Sequence, residues 1–232
     1  MKLGILCAGD RELAPFLLML TEVVRSRKAL LTVYEGCLDG LETAMLYSGV
    51  CKVNAAIAAQ VLIDGYGCDA IINAGTAGGM DKSLDLFDTV VGTEVVYHDV
   101  ADHILTGFHP WLAEAIFPAD AGLLTAARRT AEGLRHVRFG RMATGEAFIT
   151  DDGRAEIHAR FHPLSVDMES AAVAQVCHAY GVPFLAIRTM TDTPVHRGLG
   201  TFEDNCDRAA AVTADFVRRM IPRLKEIGRA HV

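Results

Sequence analysis

Three apolar runs that each end on glycine or an acid constrain the fold of this chain most. They are MKLGILCAGD at the start, DAIIN followed by AGTAGG from Asp69 to Gly79, and PFLAIRTMTD from Pro183 to Asp192. Runs of this length and apolarity are typical of strands that are buried on both faces of a sheet. Helical patterns separate them. The alternation predicts an α/β fold with a largely parallel sheet covered by helices on both faces.

The first half of the chain adds three further patterns. Apolar residues from Leu13 to Leu20 share one face of a helix predicted from Arg11 to about Arg25. LLTVYEGCLDG and LETAMLYSG predict two antiparallel strands that turn at Asp39-Gly40. The segment from Lys52 to about Ile63 is apolar nearly all round and predicts a buried helix.

The second half continues the alternation. Asp88 to Asp99 predicts a strand, and the aperiodic stretch that follows it to about Ala119 predicts a long loop. Leu123 to about Leu134 predicts a helix, and RFGRMATGEAFI an extended segment. A helix is expected to start near Glu169, and a long amphipathic helix from about Asp204 to Ile227 closes the chain.

Composition narrows the class of protein. The 232 residues show no linker or composition break, which predicts one domain over 1–232. A net charge of −7, from 22 basic and 29 acidic residues, disfavours a nucleic-acid surface. No apolar stretch reaches the roughly 18 residues of a membrane span, and no secretory signal is evident. Six scattered cysteines are interpreted as reduced and structural. We therefore expect a cytoplasmic protein that binds a small molecule, with no nucleic-acid or membrane partner.

Four polar segments follow apolar runs: AGDRE, NAGTAGG, DMES and RTMTD. Since the carboxyl ends of parallel strands meet at one edge of a sheet, these segments predict a ligand site there. GTAGG offers backbone N–H groups, but it is neither a dinucleotide fingerprint nor a P-loop, and a tight structural turn is an equally good interpretation.

The acids of these segments have ordinary as well as catalytic interpretations. Burial at the end of a strand raises the pKa of a carboxyl such as Asp192, as an acid catalyst requires, whereas a turn or cap role is slightly less favoured. Position alone favours Glu12 as a first-turn acid of a helix. In SVDMESAAV, entry into a helix at Glu169 separates it from Asp167, which then makes local backbone or capping hydrogen bonds.

Six motifs in this order cover most of the chain: MKLGILCAGDREL, YSGVCKVNAA, NAGTAGG, TGEAFI, VDMESAAVAQVCHAYGVPF and RTMTD. Together they resemble the 5′-methylthioadenosine/S-adenosylhomocysteine nucleosidases of the nucleoside phosphorylase superfamily. The resemblance implies a three-layer α/β/α sandwich around a mixed, largely parallel central sheet. It also implies a homodimer and hydrolysis of an N-glycosidic bond to adenine and a 5-thio-substituted ribose, without a cofactor.

The resemblance assigns roles by position. Glu12 matches the base that activates water, Glu169 the acid that holds the ribose hydroxyls, and Asp192 the acid that protonates adenine N7. The remaining matches are substrate contacts: Phe148 stacked on adenine, Ile149 at its edge, Met168 beneath the ribose, Thr76, Arg188 and Thr191 around the water, Ala77 and Gly78 beside them, and Phe202 at the 5′-alkylthio group.

The chemistry is consistent with these residue types. Adenine is a poor leaving group until N7 is protonated, and the ribosyl cation needs nearby negative charge and a positioned water. A general acid and a general base each contribute about 10²–10⁴-fold. The remaining rate enhancement comes from stabilising an oxocarbenium-like transition state, and no metal is required.

Two positions depart from the family pattern, Arg11 beside the base and Cys51 in the SGVCK turn. A cysteine is costly at φ > 0, so we predict φ < 0 at Cys51 with its thiol facing inward. Arg11 favours an alternative function, a purine nucleoside phosphorylase, although Glu12 is expected to repel phosphate. A nucleoside-binding protein without turnover is a second alternative, which the presence of all three acids argues against.

The segment YHDVADHILTGFHPWLAEAIFP contains His98, His103, His109 and Trp111. Its spacing offers no converging metal ligands, so solvated or interface histidines are expected. The resemblance places this region at a dimer interface that closes the partner's 5′ pocket, with Leu105 and Phe108 as candidates to cross it.

His158 and His162 lie four residues apart, and without a third ligand they are interpreted as surface residues. The 5′ preference among methylthioadenosine, S-adenosylhomocysteine, 5′-deoxyadenosine and 6-amino-deoxyfutalosine stays open.

Overall fold

The structure, a computed structural model, describes residues 1–108, 112–149, 151–196 and 198–230. The strands in these residues are β1 (Leu3–Cys7), β2 (Leu20–Lys28), β3 (Leu31–Leu38), β4 (Leu41–Tyr47), β5 (Ala70–Gly79), β6 (Thr89–Tyr97), β7 (Phe117–Pro118), β8 (Val137–Thr144), β9 (Ser165–Asp167) and β10 (Phe184–Asp192). The helices are α1 (Asp10–Leu17), α2 (Lys52–Gln60, continued by a π-helical turn Val61–Gly65), α3 (Asp102–Gly107), α4 (Ala121–Thr130), α5 (Asp151–Phe161), α6 (Ser170–Tyr180) and α7 (Leu199–Ala230).

All strands belong to one mixed sheet in the order β10-β6-β8-β9-β5-β1-β4-β3-β2, with β7 beside β6. Strand β5 pairs with β1 through its first residues and with β10 along most of its length, both in parallel. Because β10 also pairs with β6, strands β5, β10, β6, β8 and β9 form a closed ring. The ring gathers the carboxyl ends of β5, β9 and β10 at one place.

Two helical layers cover the sheet. On one face α1, α4 and α7 contribute Leu13, Leu123, Phe216 and other buried side chains to a common core. On the opposite face the alanines of α2 and α6 pack against the sheet, together with Cys177. The arrangement confirms the three-layer α/β/α sandwich around a mixed sheet.

The helix predicted from Arg11 to about Arg25 is wrong beyond Leu17. The chain enters β2 at Leu20, which pairs antiparallel with β3. The β-branched residues Thr21, Val23 and Val24 suit a strand. Cross-strand partners, which are distant in sequence, decide the outcome. By contrast, the hairpin of β3 and β4 is confirmed, with Asp39 at φ 46° and Gly40 at φ 74° in its turn.

The long loop expected after β6 is broken by α3 and by the short strand β7, so it is shorter than predicted. His109 and Trp111 lie outside the described residues. Leu105 is 6% exposed in the core of its own chain, whereas Phe108 is 61% exposed. Of the two candidates for an interface contact, Phe108 is therefore the accessible one, and both stay predictions.

Three other boundaries differ from expectation. Helix α7 starts at Leu199, before the predicted Asp204. The extended segment predicted through Ile149 ends as a strand at Thr144, and α5, which follows it, was not anticipated. The helices predicted near Leu123 and Glu169 and the strands predicted at β6 and β10 are confirmed.

Helix α2 is not buried as predicted. Val53 is 70% and Ile57 44% exposed, while Ala55, Ala58 and Ala59 pack on the sheet. An apolar stripe therefore faces outward from the chain. Within the described residues, no helix is both long and apolar enough to cross a membrane.

Candidate active site

A cavity of about 340 Å³ lies at the carboxyl ends of β1, β5, β9 and β10, and its volume is in the range of small-molecule sites. Most of its lining is apolar, and three carboxylates that the sequence singled out converge on it. The lining residues are Ala8, Gly9, Asp10, Arg11, Glu12, Val50, Thr76, Ala77, Gly78, Ala147, Phe148, Ile149, Val166, Asp167, Met168, Glu169, Asp192, Leu199, Phe202 and Cys206.

Glu12 is fixed by four hydrogen bonds. Its Oε2 accepts from the backbone N–H groups of Ala8 (2.7 Å) and Gly9 (3.1 Å). Its Oε1 accepts from the Thr76 N–H (2.6 Å) and hydroxyl (2.8 Å). Glu12 lies in the first turn of α1, so its interpretation as a first-turn acid of a helix is correct as far as position goes. The same bonds fix the position of the Glu12 side chain at the cavity wall.

The glycine-rich segment belongs to β5 and is not the tight turn considered from the sequence. A Cβ on Gly75 would lie 2.5 Å from Glu12 Oε1, a distance that no side chain tolerates. Glycine at this position therefore lets the Glu12 carboxylate approach the strand and bond to Thr76.

Asp167 and Glu169 play different structural parts, as predicted. Asp167 Oδ1 accepts from the Thr144 hydroxyl (2.6 Å) and from the N–H groups of Glu169 (3.2 Å) and Ser170 (3.1 Å). These bonds fix the entry into α6. Glu169 Oε1 accepts from the Cys51 N–H at 3.0 Å, on the cavity side. Burial, opposed in part by Arg188, raises the pKa of Glu169 to about 7.

Arg188 is wholly buried and lies among carboxylates. Its guanidinium is 3.2 Å from Asp167, 3.3 Å from Glu169 and 3.9 Å from Glu12. Nη2 also donates to Asn73 Oδ1 at 2.6 Å. Burial alone lowers the pKa of Arg188, but the three carboxylates raise it, so the guanidinium stays charged. The positive charge of Arg188 thus offsets the negative charge of the carboxyl groups that it contacts behind this wall of the cavity.

Asp192 ends β10 and is 2% exposed. Its Oδ1 accepts from the Thr191 hydroxyl at 3.1 Å, and its Oδ2 from Arg154 at 3.4 Å. Burial raises the pKa of Asp192, and Arg154 opposes the rise. The carboxyl therefore keeps its proton to higher pH than an exposed aspartate does.

The opposite wall is aromatic and apolar. Phe148 and Phe202 meet edge to face, with ring centroids 6.0 Å apart. Ile149 and Met168 complete this surface. Phe148 is 39% exposed, which leaves its ring accessible to a flat ligand.

Nearly all residues predicted from the sequence meet in this one cavity. Those that line it are Glu12, Thr76, Ala77, Gly78, Phe148, Ile149, Met168, Glu169, Asp192 and Phe202. Arg188 and Thr191 lie behind the lining, where Thr191 bonds Asp192 and the Ala77 carbonyl (3.3 Å). Arg188 reaches the cavity only through the carboxylates that it contacts.

Sequence reasoning missed several residues. Asn73 was visible as a polar residue within an apolar strand, a signal of a buried hydrogen bond. Arg154, Val50, Leu199 and Cys206 gave no such signal, since each reaches the site from a segment that is distant in sequence.

The Arg11 guanidinium contacts helix α7 and not the carboxyl groups of Glu12 or Glu169. Its Nε lies 2.6 Å from Asp207, and Nη2 donates to the Glu203 carbonyl at 3.0 Å, both in α7. The guanidinium is thus engaged by α7 at the mouth of the cavity.

The prediction for Cys51 is wrong. The residue has φ 83° and ψ 161°, a region that is nearly exclusive to glycine. This conformation directs its N–H at Glu169. Its neighbour Lys52 donates its N–H to Glu146 at 3.0 Å, and its ammonium lies 2.9 Å from Asp99. The turn is held on both sides, and the surroundings impose the strained backbone.

Within the described residues, no group of three or more His, Cys, Asp or Glu side chains is arranged to hold a metal ion. His98 is half-buried, and burial lowers its pKa. His158 and His162 contact each other edge to face at 5.8 Å, and His162 is exposed.

Comparison with known proteins gives the family. A model described as "Phosphorylase superfamily" matches residues 2–222. A 5′-methylthioadenosine/S-adenosylhomocysteine nucleosidase from Anoxybacillus flavithermus is 35% identical over 97% of this chain and its own full length.

Solved structures agree in both fold and sequence. A nucleosidase of the same name from Neisseria meningitidis, in complex with methylthio-immucillin-A, has a TM-score of 0.87 and 33% identity, covering 95% of this chain and 98% of that one. The corresponding enzyme from Colwellia psychrerythraea, in complex with adenine, has a TM-score of 0.87 and 35% identity, covering 97% and 96%. With its converging acids and this likeness along its length, the chain belongs to the phosphorylase superfamily and, within it, to the 5′-methylthioadenosine/S-adenosylhomocysteine nucleosidases.

Proposed function

We propose that this protein hydrolyses the N-glycosidic bond of 5′-methylthioadenosine, S-adenosylhomocysteine or both, releasing adenine and a 5-thio-substituted ribose. The relatives carry this activity in their names, and two solved neighbours hold adenine or methylthio-immucillin-A. The observation that carries the proposal is the pair of unlike acids in one cavity. Glu12 accepts hydrogen bonds from four donors, whereas burial raises the pKa of Asp192.

The proposed mechanism divides the work among three carboxyl groups. Asp192 gives its proton to adenine N7, so that the purine leaves as a neutral base. Glu12 accepts a proton from the water that attacks the sugar. Glu169 accepts hydrogen bonds from the ribose hydroxyls, and the carboxylates stabilise the oxocarbenium-like charge. The cycle requires no metal and no cofactor.

The aromatic wall suits the purine. Phe148 offers a ring for stacking, and Ile149 follows it along the cavity edge. Met168 precedes Glu169 and is proposed to pack under the ribose. Thr76, Ala77 and Gly78 line the opposite side, where Thr76 shares Oε1 of Glu12 with the attacking water. Arg188 and Thr191 act from behind by fixing the acids.

Hydrolysis is favoured over phosphorolysis by the charges around the water. Arg188 is already balanced by Asp167, Glu169 and Glu12. Arg11 is engaged by Asp207. Among the described residues, a phosphate dianion at this wall would meet carboxylates, while Arg188 and Arg11 are already engaged.

The test is adenine release from methylthioadenosine with and without phosphate. Equal rates and no ribose 1-phosphate support the nucleosidase, and strict phosphate dependence would identify a phosphorylase. Tight binding without adenine release would identify a binding protein.

The acid assignments are tested by substitution. Asp192→Asn and Glu12→Gln are each expected to lower kcat by about 10²–10⁴-fold. The matched control is Asp204→Asn, an exposed acid in α7, which is expected to retain full activity. Full activity of Asp192→Asn would refute its role as the proton donor.

The 5′ substituent is proposed to lie against Val50, Leu199 and Phe202, an apolar part of the lining that suits an alkylthio group. This surface does not rank methylthioadenosine above S-adenosylhomocysteine. A panel of 5′-substituted adenine nucleosides, followed by adenine release, measures the preference.

A homodimer is also part of the proposal. The outward stripe of α2, with Val53 and Ile57, is an apolar surface that association would cover. Exposed Phe108 is the accessible candidate to reach the partner's cavity. Light scattering is expected to give twice the monomer mass, and Val53→Glu to reduce it. A cytoplasmic location, consistent with the free cysteines of the described chain, and a role in methionine salvage complete the proposal.

A further inference from the structure

Arg154 lies in α5, outside the motifs that carry the family likeness, yet it reaches the proposed proton donor. Its Nη2 is 3.4 Å from Asp192 Oδ2, and its Nη1 donates to the Gly79 carbonyl and lies 3.7 Å from Met80 Sδ. Its side chain is 11% exposed. The guanidinium is therefore buried between α5, the end of β5 and the end of β10.

The surroundings of Asp192 make Arg154 its charged partner. Strand β5 presents Gly78, where a Cβ would lie 3.2 Å from Asp192 Oδ2. Within β10 the neighbour is the neutral hydroxyl of Thr191. Arg154 is the charged side chain that contacts Asp192 among the residues that the structure describes.

The other elements near the end of β10 present neutral or distant groups. Helix α7 offers Asn205, which donates to the Thr191 carbonyl at 2.9 Å, and Cys206, whose thiol pKa is raised by burial. His196, just after the strand, bonds Thr193. Strand β6 pairs with β10 only over 187–189. Within the ranges that the structure describes, the charge of Asp192 is therefore balanced from α5.

Proton donation places two opposite demands on this carboxyl. It must be protonated when the nucleoside binds, which burial favours, and it must be stable as a carboxylate once the proton has moved to N7. An isolated buried carboxylate is costly, whereas one paired with a guanidinium is not. A cation at this position makes the proton easier to transfer.

We propose that Arg154 is a positioning residue for the nucleosidase reaction, which orients Asp192 and stabilises the carboxylate that proton transfer leaves behind. In that step the proton passes from Asp192 to N7, and the electrons of the broken C–N bond go to the purine. The water hydroxyl bonds to the sugar carbon while its proton goes to Glu12, and exchange with solvent restores both acids. The inference rests on the proposed function of Asp192.

The test is the pH dependence of kcat/KM for adenine release from methylthioadenosine. Activity needs protonated Asp192, so its alkaline limb reports the pKa of this carboxyl. An opposite charge at this distance lowers a carboxyl pKa by about 1–3 units. Removing it in R154Q is therefore expected to move the limb about one unit to higher pH, and to lower kcat about tenfold while KM changes little.

R154K keeps the positive charge but lacks the planar guanidinium, which contacts both the Gly79 carbonyl and Asp192. The alkaline limb of its pH profile is therefore expected to stay near the wild-type position, while kcat is reduced. The matched control is R160Q on the same helix, whose exposed pair with Asp102 (3.3 Å) lies away from the cavity. It is expected to change neither the rate nor the limb. Thermal unfolding is measured for each variant, and R154M replaces R154Q if the latter does not fold.

An unmoved alkaline limb in R154Q or R154M, with Asp192→Asn inactive, would overturn the role of Arg154 and leave the proposed function standing. Equal loss of rate and of melting temperature in R154Q and R154K, without a shift, would also overturn it, since that result indicates a purely structural residue. Full activity of Asp192→Asn would instead refute the proton donor itself.

Discussion

The two ends of the cavity differ in how deeply their side chains are buried and in how many hydrogen bonds hold them. The end proposed to hold the ribose, here called the ribose end, has Glu12 and Glu169 in its lining and Arg188 behind them; it is buried and held by hydrogen bonds from several elements. The end proposed to hold the purine, here called the purine end, has Phe148 and Asp192 in its lining and Arg154 behind Asp192; its ring is 39% exposed and its ion pair measures 3.4 Å. Fixed charges suit the proposed transition state of the sugar. The comparison teaches that fixed charges dominate the ribose end, whereas an accessible ring dominates the purine end.

The largest expected effect comes from breaking the ribose end at Arg188. Arg188→Met leaves three buried carboxylates without their cation, and losing one partner of a buried ion pair costs about 3–5 kcal/mol. For a chain of this size the melting temperature is expected to fall by about 10 °C. The control is Arg219→Met, which loses only an exposed pair with Asp215. An equally stable Arg188→Met would show that the ribose end is not held by charge.

The next effect is a pH dependence of stability from Glu169. Its folded pKa of about 7 lies above the ordinary value of 4.5, so the folded state keeps a proton that the unfolded chain has lost. Stability is therefore highest below the ordinary value and falls as the pH rises to about 7, by at most about 1.4 kcal/mol per pH unit.

Thermal melts across this window compare wild type with Glu169→Gln, which cannot titrate. The variant is expected to lose this downward slope. Parallel curves for the two proteins would contradict the raised pKa.

The purine end is expected to respond in binding and not in stability. Phe148→Ala removes a stacking surface worth about 1–3 kcal/mol per base, so KM for methylthioadenosine should rise about tenfold. The melting temperature should stay unchanged, because the ring is partly exposed. Phe148→Tyr keeps the ring and is expected to restore KM. A large loss of stability in Phe148→Ala would mean that the two ends are built alike.

The smallest expected effect concerns the strained turn at Cys51. A residue other than glycine in this region of φ and ψ destabilises the folded state by about 1–3 kcal/mol. Glycine removes this strain, but part of the gain is lost because glycine also raises the conformational entropy of the unfolded chain. Cys51→Gly is expected to stabilise the protein by about 1 kcal/mol in thermal or urea unfolding. Cys51→Ala, which removes the thiol but keeps the strain, is the control and should not be stabilised. Equal effects of both variants would trace the gain to the thiol.

Cys51 also shows where sequence reasoning fails. Its residue type predicts φ < 0, but the Glu169 carboxylate accepts its N–H and imposes φ 83°. By contrast, Glu12 and Asp192 were predictable because each follows an apolar strand in a recognisable motif, and strand ends meet at one edge. The ion pair of Arg154 with Asp192 spans 38 positions and leaves no periodic signal.

Helix α2 and strand β2 teach a related lesson. An apolar helix surface looks the same in sequence whether a sheet or a second molecule covers it, so Val53 was assigned to the core although it is 70% exposed. The helical face that starts at Leu13 continues in the sequence to Leu20, the first residue of β2, and only pairing with β3 makes the chain extended there.

The closed ring of strands has a consequence for the order in which the protein becomes functional. Strand β10 is inserted between β5 and β6, although it is the last strand to leave the ribosome. Contacts between segments this far apart in sequence form slowly and late. Until β10 is in place, Asp192 and Arg188 are absent from the cavity, and Glu12 lies beside an unfinished sheet. A nascent chain therefore contains Glu12, the proposed water-activating base, long before Asp192, the proposed proton donor, and hydrolysis is expected to begin only after β10 has joined the sheet.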